Sequence, residues 1–295
     1  MTTKSNEIST DSRSLNDSGF FHAVSLSGGK DSSAMLILMI ERGMPIDLVL
    51  SADTGMEFPE MYEHLAKMND YLYRERGIHI TTLRHPHGFE WLMFDEPKKR
   101  ASCIENRLRL GIPLHGNGWP SMQIRWCTGQ LKTKLINKEV SRLKGKHNAL
   151  HYIGIAADES HRCKKEQYPL VEWGITEAEA LKICYDRGFD FGGLYRIYHR
   201  ASCWCCPLQR VDELRKLRRH HPELWARLLD MDNRTREMFG PGPLGTFKQN
   251  WSVERYDKRF ALEDASPPQN ERKCVNGSLS CGAHTGLHRD EQPSS

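Results

Sequence analysis

The sequence predicts an α/β fold: a doubly wound, mostly parallel sheet with a helical C-terminal extension. Three observations lead there. Short runs of β-formers begin at Phe20, Ile46, Ile78 and His151. Stretches with helical character separate the first three, as parallel crossovers require. The first two runs end in loops with glycine and polar residues, and ligands of such sheets bind beyond the strand C-termini.

The first run, Phe20 to Leu26, meets Ser27-Gly28-Gly29-Lys30-Asp31-Ser32 and then the apolar block Ala34 to Ile40. A strand, a glycine turn and a helix start make an anion site. The glycines let the backbone approach a phosphate, the first helical amides and the helix dipole face it, and Lys30 adds a charge. Two better-known phosphate loops are excluded by position. The Walker pattern needs glycine at Val24 and Ser or Thr at Asp31, and the dinucleotide fingerprint needs glycine at Lys30.

Gly43-Met44-Pro45 closes the first helix, and the second strand, 46–52, stops at Asp53-Thr54-Gly55-Met56-Glu57-Phe58-Pro59-Glu60. Pro59 suits the first turn of a helix running to about Arg76, and a third strand covers 78–83. Residues 84–130 are less regular: Arg84-His85-Pro86-His87 reads as a turn, and 111–121 as a loop over the site edge. Arg125-Trp126-Cys127-Thr128 leads into a basic amphipathic helix from Leu131, whose Lys132 and Lys134 are either phosphate contacts or a solvated face. A fourth strand, 151–156, precedes Ala157-Asp158-Glu159-Ser160-His161-Arg162, and Thr176 with Glu179 forms a capping box. Beyond Val211, leucines at helical spacing predict two packed helices with basic outer faces (Arg215, Lys216, Arg218, Arg219), either solvated or laid on a nucleic-acid backbone.

The chain has 295 residues, a net charge of +4 and nine cysteines. That charge is too small to argue for nucleic acid by itself. No apolar run is long enough to span a membrane, and residues 1–18 lack the apolar core of a secretory signal, reading instead as a disordered tail. Clustered cysteines in odd number do not resemble a secreted disulfide framework, so a reducing cytoplasm is expected. The expected layout is a nucleotide-binding α/β domain at 19–200, a cysteine-rich clasp and helical extension at 201–260, and a polar mobile tail at 261–295.

Ser202-Cys203-Trp204-Cys205-Cys206-Pro207 has the form of a metal clasp, a tight turn letting thiolates converge on one ion. A redox Cys-x-x-Cys would open a helix in a thioredoxin-like context, which is lacking. The clasp needs a distant partner, and Cys127 is the obvious one. Four thiolates (Cys127, Cys203, Cys205, Cys206) suit either a [4Fe–4S] cluster or structural Zn²⁺, and buried unliganded cysteines are the third option.

Ser27-Gly28-Gly29-Lys30-Asp31-Ser32 resembles the PP-loop of the N-type ATP pyrophosphatases, and Asp53-Thr54-Gly55-x-x-Phe58-Pro59-Glu60 resembles the loop after the second strand in phosphoadenosine phosphosulfate (PAPS) reductases and in the small subunit of ATP sulfurylase. The resemblance implies a Rossmann-like, adenine nucleotide alpha hydrolase-like fold. It also implies ATP or a related nucleotide (PAPS or adenylyl sulfate) bound by Ser27, Gly28, Gly29, Lys30, Asp31 and Ser32, with Mg²⁺. Asp53, Thr54, Gly55 and Glu57 would hold the nucleoside. Family members often carry Gly-Ile-Arg-x-x-Glu-Ser after the fourth strand; here Ala156 replaces the arginine, and Arg162 is the substitute. The separation of Cys127 from the Cys-x-x-Cys is similar to that of iron–sulfur members, although the doublet has moved from the early to the late position. In the tail, Cys281-Gly282-Ala283-His284 resembles the mobile segment whose cysteine attacks sulfur in true reductases, but lacks its glutamate.

Three functions follow. In the first, ATP binds, an acceptor oxygen attacks the α-phosphate, pyrophosphate leaves, and sulfur transfer proceeds beside the cysteine centre, with Lys30 and Asp31 in the catalytic machinery and tRNA or DNA among the acceptors. In the second, PAPS or adenylyl sulfate is the substrate, Cys281 takes the sulfur, and a thioredoxin-like reductant completes the cycle. The third is a non-catalytic nucleotide- or nucleic-acid-binding module with a structural metal. The intact PP-loop favours the first.

Overall fold

The structure, a computed structural model, describes residues 19–144, 148–248 and 251–265. Residues 1–18 and 266–295, with Cys274, Cys281 and His284, lie outside the described residues, so neither the two tails nor the Cys281 assignment is addressed by it.

Four parallel strands form the sheet, β1 (Phe20–Ser25), β2 (Leu48–Asp53), β3 (Ile80–Arg84) and β4 (Asn148–Ile153), in the order β3-β2-β1-β4. The chain steps outward from β1 to β2 to β3, then returns to place β4 on the other side of β1. The direction of winding therefore reverses at β1, and the crevice beyond its C-terminus is where open α/β sheets bind ligands. The first loop of the sequence lies there.

Helix α1 (Lys30–Glu41) carries that loop into the core and is buried from Ser32 to Ile40. A helix apolar all round must be covered on every side. Here the cover includes α2 (Pro59–Arg76) and, from further along the chain, α7 (Pro169–Glu172) and α8 (Glu177–Asp186). The irregular segment 84–130 contains α3 (Gly88–Phe94), α4 (Ala101–Leu110) and the short α5 (Trp126–Thr128). The opposite sheet face is covered by α6 (Lys134–Lys144), whose Val140 and Leu143 pack on Ala23 and Leu50. With helices on both faces, the fold is doubly wound as expected.

A short helix α9 (Leu194–Ile197) leads to the cysteine loop, and the extension consists of α10 (Val211–His220), α11 (Pro222–Phe239) and α12 (Val253–Ala265). The extension thus continues helically to Ala265, past the expected limit at 260. Its basic stripe is neutralised from within: Arg215 pairs with Glu263, Arg218 with Asp257 and Asp264, and Arg219 with Asp264. The loop 111–121 differs from expectation too. Rather than covering the site, it forms a seam with the extension: buried Trp119 donates its indole N–H to Asp232 (3.0 Å), whose other oxygen accepts the Val253 amide (2.8 Å).

Candidate functional site

The turn from Ser27 to Ser32 forms because its residues satisfy one another tightly. Gly28 has φ +82°, and a Cβ there would lie 2.7 Å from the Met61 sulfur on α2. Ser32 Oγ accepts the Ser27 amide (3.1 Å) and lies 3.0 Å from Ser27 Oγ, closing the turn. Ser33 Oγ reaches the Gly28 carbonyl (3.4 Å) and the buried His64 Nε2 (2.9 Å). Burial holds the His64 imidazole down to about 4 from its ordinary 6.5, so it is neutral at pH 7. At the end of β4, Gly154 lies so close that a Cβ would sit 2.5 Å from Ser32 Cα. Both strands flanking the crevice therefore shape this turn.

Lys30 Nζ lies 3.2 Å from Asp31 and 3.1 Å from Glu177, at the start of α8. Asp31, Glu159 and Glu177 each offer an oxygen within 4.8 Å of the others. One Asp31 oxygen is buried with no hydrogen-bond partner. Burial raises the Asp31 pKa, with Glu177 and Glu159 adding to it and Lys30 opposing. Three carboxyl groups around an unpartnered oxygen are a donor set that a hard divalent cation such as Mg²⁺ fits. Sequence reasoning missed Glu177, read as part of a capped helix, and noted Glu159 only as part of a loop. Arg162, the expected substitute for the missing arginine, bonds Glu159 through its guanidinium and so stands beside this acidic group.

Beside the turn, a cavity of about 240 Å³ is lined by Ser27, Asp53, Glu57, Tyr62, Asn69 and Arg84 among others. Asp53 accepts from Tyr62 Oη (2.9 Å), Gly55 N (2.7 Å) and Arg84 Nε (2.7 Å), the last its register partner on β3. Thr54 is buried and donates its hydroxyl to Glu57 (3.1 Å), so it supports the loop from inside.

Glu57 joins this loop to the cysteines. Its Oε1 accepts from Thr54, from Lys132 Nζ (3.1 Å) and from the Cys203 thiol (3.4 Å). The amide of Trp204 donates to the Met56 carbonyl (3.1 Å), docking the cysteine loop onto the Asp53 loop. Lys132 projects from a π-helical turn, Gly129–Thr133, where a plain helix was expected; such turns recur at functional sites. Burial alone would lower the Lys132 pKa, but Cys203, Glu57 and Cys127 outweigh it and the net shift is upward. Lys134 is exposed.

The structure brings Cys127, Cys203, Cys205 and Cys206 into one electrostatic neighbourhood. Cys205 stands apart: it is 1% exposed and belongs to the main apolar core, whereas the other three are half-buried. Burial pushes the Cys203 thiol up to about 12, with Glu57 next and Lys132 opposing. No three of these sulfurs lie within 4.8 Å of one another. Tetrahedral zinc, with Zn–S bonds of about 2.3 Å, needs sulfurs roughly 3.8 Å apart.

An uncharacterized protein, MJ0066, of Methanocaldococcus jannaschii is 26% identical over 227 residues, 69% of this chain and 40% of that one. The chain thus spans less than half the length of that relative. Among solved structures, the U34-tRNA thiolase NcsA from Methanococcus maripaludis with its [4Fe–4S] cluster is a distant likeness, with 16% identity and a TM-score of 0.35 over 90% of this chain and 78% of that one. The sequence model of the phosphoadenosine phosphosulfate reductase domain matches residues 22–184, from β1 through most of α8 and more than half of the chain. The phosphate-type turn at the crevice and the acidic loop beside it both fall inside that match, and the protein belongs to the phosphoadenosine phosphosulfate reductase domain family.

Proposed function

We propose that the protein binds ATP, or a related adenine nucleotide, at Ser27 to Ser32 and uses it for adenylyl and sulfur transfer beside a cysteine-held metal centre. The observation that carries this reading is the shared Glu57: one carboxylate belongs to the nucleotide-side loop and is hydrogen-bonded to Cys203. A nucleotide in the crevice would then lie next to the thiols.

The chemistry follows from the residues. The α1 amides and Lys30 bind the β,γ-phosphates, and the nucleoside takes the cavity beside Asp53 and Glu57. An acceptor oxygen forms a bond to the α-phosphorus as the bond to the β-phosphate bridging oxygen breaks, and pyrophosphate departs. A sulfur nucleophile then displaces AMP from the acceptor. Asp31, Glu159 and Glu177 are the residues to hold Mg²⁺, which when bound neutralises charge building on the departing phosphates. Cys127, Cys203 and Cys206 are the thiols to hold the metal centre, taken here as an iron–sulfur cluster. With three protein ligands such a cluster would leave one iron available for sulfur. Cys205 is assigned to the core. The seven described cysteines are all free thiols, in keeping with a reducing cytoplasm.

Anaerobic purification with iron, sulfide and zinc analysis, followed by incubation with ATP or PAPS, tests the proposal. Pyrophosphate release from ATP is expected, and Lys30→Ala abolishes it. Unchanged turnover in that variant removes the PP-loop from the chemistry, and sulfite release from PAPS would assign the protein to the reductases instead.

A further inference from the structure

Lys30 N–H is the first amide of α1 and would face a bound phosphate. It donates to the hydroxyl of Tyr195, 2.9 Å away and 165 residues further along the chain. Burial raises the Tyr195 pKa, so its oxygen is neutral and can accept. The Lys30 ammonium is likewise engaged, between Asp31 and Glu177. Both of the donors Lys30 offers to an anion therefore have internal partners before any ligand arrives.

Tyr195 is carried by an unusual piece of backbone. Phe191 has φ +56° and is the one non-glycine residue with positive φ among the described residues. Gly192 and Gly193 follow at φ +60° and +81°. Three left-handed residues in succession are disfavoured unless the surroundings hold them. Here Phe191 is buried with its ring 4.2 Å from His64, and Gly192 is pressed against Glu60, where a Cβ would be 2.7 Å from the Glu60 Cβ. The anchor is fixed, and so is the four-residue helix α9 that bears Tyr195, because Leu194 and Tyr198 on either side of that residue are buried in the core.

Resting on the nucleotide reading above, we propose that Tyr195 gates the phosphate site: its hydroxyl occupies the Lys30 amide until a phosphate oxygen replaces it, the Tyr195 side chain turning away while α9 stays in place. Tyr195 is a positioning residue of the empty site, and its hydrogen bond is lost rather than gained on binding. Removing the hydroxyl destabilises only the empty state, so the variant binds phosphate more tightly. A tyrosine that held the phosphate would give the opposite sign.

The test uses the full chain, purified anaerobically, with inorganic pyrophosphate and Mg·ATP titrated calorimetrically into wild type and Tyr195→Phe. The gate predicts about three- to tenfold tighter binding by the variant, one net hydrogen bond's worth. It also predicts a lower melting temperature without ligand and a larger ligand-induced rise. Equal or weaker binding overturns the gate while leaving the nucleotide site standing; no binding by wild type overturns the nucleotide reading and the gate with it. Should the variant fail to fold, ring contacts measured by nuclear magnetic resonance on wild type decide: the contact between the Tyr195 and Phe191 rings, 4.8 Å apart here, must weaken with pyrophosphate bound, and an unchanged contact overturns the proposal.

Discussion

His64 offers a quantitative test of how the loop is supported. Its ring is 2% exposed, packs between Phe191 and Phe189, and meets Ser33 Oγ. Burial is the main reason its pKa falls from 6.5 to about 4, with Lys67 adding and Asp190 opposing. The unfolded chain takes up the proton first as pH drops, so stability is lost on acidification, beginning near pH 6.5 and saturating below pH 4. Applying the linkage relation to those two values gives a loss of about 2 kcal/mol between pH 7 and pH 5, and about 3 kcal/mol by pH 4. Urea unfolding at each half pH unit from 7 to 5, for wild type and His64→Gln, measures it. Taking the difference cancels the other titrating groups. The wild type should lose about 2 kcal/mol more than the variant over that range. Parallel pH profiles for the two proteins would refute both the neutral, buried histidine and its role beneath Ser33.

Other expectations follow from single contacts. Asp232→Ala leaves the Trp119 indole N–H and the Val253 amide without their buried acceptor, and should destabilise by about 3 kcal/mol in chemical denaturation. Gly154→Ala drives a methyl into the Ser32 backbone. Calorimetry should show pyrophosphate binding weakened at least about tenfold, with about 1–3 kcal/mol lost from stability. Cys203→Ser should strip iron from anaerobically prepared protein, whereas Cys205→Ser should keep iron and lose stability; the reverse pattern would exchange their roles.

Much of the α/β frame could be read in advance because its signals are local. The strand–Gly-Gly–helix run, Pro59 opening α2 and the Thr176–Glu179 capping box were legible for that reason, and the capping box forms as expected. Edges moved where side chains intervene. The second strand begins at Leu48 rather than Ile46, because Asp47 turns its carboxylate to the His22 amide (2.7 Å). The fourth strand ends at Ile153 rather than 156, since its partner β1 stops at Ser25, where the loop departs. Helix α4 was unreadable: its one buried residue is Arg107, which bonds the carbonyls of Pro113, His115 and Gly116, and no apolar stripe marks it. Helix α12 did carry a signal, in buried Val253, Tyr256 and Phe260 at helical spacing, but its charged residues masked it. Of these, Asp257, Glu263 and Asp264 answer the arginines of α10, while Lys258 and Arg259 pair within the helix with Glu254 and Glu263. In the site, the loop and cysteine motifs were visible, whereas Glu177 and Tyr195 meet Lys30 only through tertiary folding.

The loop at position 27 is written well before its supports, His64, Gly154 and Glu177. A ribosome must therefore deliver β4 and the start of α8 before the turn can acquire its working shape. The matched stretch 22–184 ends before Tyr195 is made. A fragment cut at that boundary would keep every residue of the motif while lacking the hydroxyl that occupies its first amide. Competence at this crevice is thus a late event in the life of the nascent chain, and premature termination between β4 and α8 should leave a sheet that forms and a loop that does not set.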